Sequence, residues 1–184
     1  GTLTVDGYNV TMNNFKDSSS VYFPNDYCKA YYEENRPVFS DMSATLKLTI
    51  IGENSVGSIA AMRDLKIYGT MYDSLTIQQS LKLFYFESAS GSDYIEWECW
   101  IYGGNYKMNE IDFSGFYKTE QGLLIYDGAS VEVSGEVNVC TMRVENSKLA
   151  ANSIYSSITR HNDTALTFRY SRIELIDRMY RRWW

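Results

Sequence analysis

The segment richest in usable chemistry is Tyr94-Ile95-Glu96-Trp97-Glu98-Cys99-Trp100-Ile101-Tyr102. Side chains of an extended strand alternate between its two faces. Ile95, Trp97, Cys99 and Ile101 then share an apolar face, and Tyr94, Glu96, Glu98, Trp100 and Tyr102 share the other. A face that mixes aromatic rings with carboxylates suits sugars. Ring planes cover the apolar side of a pyranose, and carboxylates accept its hydroxyl hydrogen bonds. Glu96 and Glu98 would stand about 6.5–7 Å apart by strand rise, within the range of an acid/base pair acting on a glycosidic bond. The same pattern also fits a solvated wall or a subunit interface. The expectation is therefore glycan or partner binding by Tyr94, Glu96, Glu98, Trp100 and Tyr102, with no catalytic residue assigned.

Other routes to chemistry are narrow. The chain has one histidine, His161, so any nucleophile–base pair would have to use it. It lies in the polar stretch Thr159-Arg160-His161-Asn162-Asp163-Thr164, which reads as a loop. Cys28, Cys99 and Cys140 are too dispersed for a zinc clip. Three is an odd number, so at least one thiol stays free or pairs between chains. A Cys99–Cys140 disulfide stays open, although both positions read as small buried hydrophobes. The aspartates lack calcium-loop spacing, and no phosphate-binding or nucleophile-elbow motif occurs. No metal and no cofactor is expected. Asn9-Val10-Thr11 and Asn162-Asp163-Thr164 match the glycosylation acceptor pattern, which matters only on a eukaryotic secretory route.

The C-terminal run is unusual. Arg178, Tyr180, Arg181, Arg182, Trp183 and Trp184 put two tryptophans beside three arginines. Such residues anchor partners, so residues 176–184 read as a basic aromatic docking tail, on a neighbouring subunit or back on the chain itself. Membrane-surface contact is the runner-up for this tail. Charge is uneven: residues 160–184 are net +3 and the remainder is net −9, within a total of −6. An acidic body argues against general nucleic-acid binding. No apolar run is long enough for a membrane-spanning helix. The N-terminus has no basic leader, which fits a mature form or a fragment of a longer chain.

The elements that must carry these residues are strands. Period-two alternation recurs through the 184 residues, with Gly, Asn, Asp and Ser between the segments and only two prolines. Asp6-Gly7 signals a hairpin between Thr2–Val5 and Tyr8–Met12. Two long strands around Ser88 to Asp93 read as a second hairpin. Helix signals are few: a short helix over Tyr27 to Asn35, helix-like residues 56–64, and a tail from Ile173 to Trp184 that is a helix or a last strand. The expected fold is one all-β domain over 1–184 with at most one or two short helices. A β-helix or solenoid is favoured by a small margin over an antiparallel β-sandwich or jelly roll, because residues 122–176 are short strands punctuated by Gly or Asn.

The 28 aromatic residues exceed what one core of this size needs, so several must face outward. With a lone histidine, enzyme is the least expected class. The leading expectation is a non-enzymatic structural or adhesion module of an extracellular, cell-surface or virion assembly, homo-oligomeric, of the kind found in viral or phage fibres and bacterial adhesins. The alternative is a carbohydrate-binding module or a fragment of a glycan-cleaving protein.

Overall fold

The computed structural model describes residues 1–23, 45–61, 63–83, 97–113, 122–157 and 166–182. Among them there is no helix. In chain order the strands begin with β1 (Thr2–Asp6), β2 (Asn9–Asn13), β3 (Val21–Phe23), β4 (Leu46–Ile51), β5 (Glu53–Val56) and β6 (Ile59–Ala61). Next come β7 (Leu65–Tyr68), β8 (Ser74–Leu83), β9 (Glu98–Tyr102), β10 (Asn105–Asp112), β11 (Gly122–Tyr126) and β12 (Ser130–Val139). The last are β13 (Thr141–Glu145), β14 (Lys148–Ser157), β15 (Leu166–Arg169), β16 (Arg172–Leu175) and β17 (Met179–Arg182).

They form two sheets. The first has eight strands in the order β1-β2-β4-β7-β9-β11-β13-β15. The second has nine: β16-β14-β12-β10-β8-β6-β3 along its path, with β17 also on β14 and β5 also on β8. From β6 to β16 successive strands alternate between the sheets. Every pairing is parallel except β1 with β2, which Gly7 (φ 56°) turns back as an antiparallel hairpin.

Alternation sets what each strand buries. In the first sheet Leu65, Cys99, Leu123 and Met142 lie in register across four strands, and Ile67, Ile101, Ile125 and Val144 form the next row. All eight are buried, and their counterparts Leu75, Tyr106, Val131 and Leu149 from the second sheet join the same core. Each such aliphatic side chain contributes about 1.5–3 kcal/mol by leaving water. Cys99 and Cys140 are both buried, and no disulfide joins them. Burial pushes the Cys99 thiol far up, with the Asp64 carboxylate adding to the effect.

A left-handed residue follows six of the eight first-sheet strands, at the corner leading to the second sheet: Asn14, Gly52, Gly103, Asp127, Asn146 and Tyr170. Four of the six are Gly or Asn, types that tolerate this conformation. Buried polar side chains brace the corners. Asn54 accepts from the Phe15 N–H (2.9 Å) and donates to the carbonyls of Ile51, Gly52 and Ser74 (3.1, 3.2 and 3.3 Å). Asp73 accepts from the Gly52 N–H, the Thr70 N–H and the Thr70 hydroxyl (2.7, 2.7 and 2.6 Å). Burial disfavours its charge, but these bonds outweigh that cost and hold its carboxyl below the usual range.

Several expectations change. The pairing is parallel, so the antiparallel sandwich or jelly roll does not describe these sheets. The described residues of 56–64 are not helical: Val56 ends β5, Ile59–Ala61 form β6, and the Gly57 N–H bonds across to the Ser19 carbonyl (2.8 Å) instead of along a helix. The described part of the tail forms strands β16 and β17. The described parts of the supposed hairpin around Ser88 to Asp93, β8 and β9, belong to different sheets. The short helix over Tyr27 to Asn35 lies outside the described residues.

Candidate functional site

The outer face of the eight-stranded sheet gathers the half-buried aromatic residues of β7, β9 and β11. In β9, Cys99 and Ile101 point into the core, while Glu98, Trp100 and Tyr102 are half-buried on the outside. Trp97, just before the strand, is buried. The start of β9 is fixed by the Asp64 carboxylate, which accepts from the Glu98 N–H (2.8 Å).

Parallel in-register pairing repeats each outward residue at the same level on the next strand. Tyr68, Tyr102 and Tyr126 therefore line up. The Tyr68 and Tyr102 rings are 5.0 Å apart and almost coplanar in orientation (6°). The Tyr102 and Tyr126 rings are 5.8 Å apart at 28°. One row over, Lys66 places its Nζ 4.7 Å from the Trp100 ring centre. Arg143 sits 5.8 Å from the Tyr126 ring and makes a two-pronged pair with Glu145 (2.7 and 3.1 Å). Burial raises the phenol pKa of Tyr102, with its tyrosine neighbours Tyr68 and Tyr126 and the acids Asp127 and Glu98 contributing. Burial also raises that of Tyr126, against an opposing pull from Arg143.

This packing decides which atoms face a ligand. A stacked tyrosine offers its edge and hydroxyl, because its faces lie against the next ring. The Trp100 ring has the Lys66 ammonium over one face. Sugar recognition through ring planes thus has less free aromatic face here than the composition suggests.

Of the residues expected to bind, Glu98, Trp100 and Tyr102 share this outer face. Tyr94 and Glu96 lie outside the described residues, and with them the Glu96–Glu98 pair. His161, Asp163, Trp183 and Trp184 also lie outside. Arg178 is exposed, with its Nε 3.3 Å from the Asp177 carboxylate. The backbone of Tyr180, Arg181 and Arg182 belongs to β17, which pairs with β14 of the same chain. Among the described residues no three His, Cys, Asp or Glu side chains come together to hold a metal ion, and no helix is long and apolar enough to cross a membrane.

Sequence reasoning missed Tyr68, Tyr126, Lys66 and Arg143. A signal was present: Leu65-Lys66-Ile67-Tyr68-Gly69, Cys99-Trp100-Ile101-Tyr102-Gly103 and Leu123-Leu124-Ile125-Tyr126-Asp127-Gly128 share an Ile-Tyr pair ahead of a glycine turn. Compared with known protein families, with characterised proteins and with solved structures, the chain matches none.

Proposed function

We propose that the chain is a parallel β-helix serving as a non-enzymatic structural and adhesion module of an assembly on a cell or virion surface. The observation that carries this reading is the Tyr68–Tyr102–Tyr126 stack, in which outward aromatic faces pack on one another. Such a ladder stiffens a wall of stacked strands. Chain order that matches sheet order, with parallel pairing throughout β2 to β17, supports the solenoid reading. A stiff rod bearing an aromatic, mixed-charge wall suits a part that spaces or presents other parts.

The second reading is a carbohydrate-binding module. What favours it is the grouping of Trp100, Tyr102 and Glu98, each half-buried, on the outward face of one strand. A glycan array run with the wild type and with Trp100→Ala separates the two. The structural reading expects no sugar whose binding depends on Trp100, together with a small-angle scattering profile of an elongated particle. Binding lost in Trp100→Ala makes the carbohydrate module the better description. Glycan hydrolysis by the wild type that Glu98→Gln abolishes would overturn the non-enzymatic assignment.

A further inference from the structure

The two ends of the strand stack are finished differently. At the N-terminal edge of the first sheet, β1 folds back antiparallel on β2. At the other end, among the described residues, β15 and β16 each have a strand on one side only. Half of the backbone groups of such an edge strand point away from the ladder, ready to pair. The core is thinly covered here too. Met142, Val144, Leu149 and Ala151 are 0–3% exposed, whereas their next neighbours Leu166, Ile173 and Leu175 are only partly buried and Phe168 is 37% exposed.

We propose that this end binds a second copy of the same chain, with β16 pairing antiparallel to β16 of the copy about a two-fold axis through Ile173. The sequence Arg172-Ile173-Glu174-Leu175 is self-complementary in that register. Arg172 of each copy falls opposite Glu174 of the other, so two cross-strand ion pairs form. Their side chains are available, at 74% and 43% exposure. Within one chain Glu174 already pairs with Arg172 and lies 3.8 Å from Lys148, so the carboxylate is held at this edge. The same register carries Tyr170 (89% exposed) toward Ile176 (84% exposed) of the copy. A two-fold along the sheet normal keeps inward side chains inward, so Ile173 meets Ile173 and the open core ends close on each other. Parallel pairing in register would instead set Arg172 against Arg172 and Glu174 against Glu174, like charges that destabilise a ladder. An isologous contact closes at two copies and does not propagate into filaments. The inference makes the assembly reading specific but rests on the open edge alone, so it stands or falls independently of glycan binding.

Sedimentation velocity of the full chain over a concentration series tests it, with circular dichroism confirming the fold of each variant. The wild type is expected to be a reversible dimer. Arg172→Glu and Glu174→Arg should each weaken dimerisation about tenfold or more, since both pairs become repulsive. An equimolar mixture of the two variants should recover the dimer, because the antiparallel register then sets two glutamates against two arginines. A wild-type monomer at all concentrations, a trimer, or a dimer indifferent to both substitutions would each overturn the proposal. So would a mixture that stays monomeric while each variant is folded.

Discussion

Tyr102 is the middle ring of the outer stack, and that position has a measurable consequence. It contacts Tyr68 at 5.0 Å and Tyr126 at 5.8 Å, whereas Tyr68 meets only Tyr102 within this row of rings and Thr49 on its other side. An aromatic pair contributes about 0.5–1.5 kcal/mol beyond the area it buries. Tyr102→Leu therefore forfeits two such contacts, about 1–3 kcal/mol, and Tyr68→Leu forfeits one, about 0.5–1.5 kcal/mol. Both rings are half-buried, so the difference reports chiefly on stacking. Urea unfolding followed by circular dichroism gives the two midpoints, and an unchanged denaturant slope licenses the comparison. The double variant closes a cycle whose coupling energy should equal one ring pair. If Tyr102→Leu costs no more than Tyr68→Leu, or if coupling falls below about 0.3 kcal/mol, the stack does not hold the wall and the argument fails.

Tyrosine ionisation offers a second reading of the same wall. The folded pKa values of Tyr102 and Tyr126 are raised, so their contribution is complete below the unfolded tyrosine pKa and is lost as pH climbs through the folded values; base titration followed by tyrosinate absorbance should show these two titrating late and together with unfolding. Asp73 has the opposite sign: its depressed pKa stabilises the fold above the ordinary carboxylate range and ceases to do so as pH falls through the folded value. Asp73→Asn should flatten that acid slope in thermal melts taken at several pH values. Asn54→Ala removes a buried side chain that satisfies four backbone groups and should cost about 2–4 kcal/mol in urea unfolding. Gly103→Ala puts a Cβ 2.2 Å from the Gly69 carbonyl oxygen at φ +57°, and should cost about 2–4 kcal/mol by the same measure.

Strand parity was legible residue by residue. Cys99 and Ile101 inside, with Glu98, Trp100 and Tyr102 outside, follow from alternation alone, as does the hairpin at Gly7. Pairing was less legible, because periodicity within a strand carries no information about its neighbour. Tyr68 and Tyr126 reach Tyr102 only through register between strands far apart in sequence. β10 was mostly overlooked since Tyr106 and Met108 are inward but Lys107, Asn109 and Glu110 dilute its apolar signal. Gly135 read as a turn, yet it lies inside β12. A Cβ there would meet the Asn109 carbonyl oxygen at 2.6 Å, so the glycine marks a close approach to the adjacent strand. Here β8, β10, β12 and β14 shift register together, an irregularity aligned across four strands that no single segment announces.

The order of strands in each sheet has a metric consequence. Each parallel pass lies between its predecessor and its successor, at the strand spacing of about 4.8 Å. If the two sheets are the walls of the β-helix proposed above, the molecule is graduated like a ruler: one pass added or removed would shift the ends by one division and leave the remaining walls as they were. Length would then be a heritable variable that changes by whole steps, while the chemistry of any given level stays where it is.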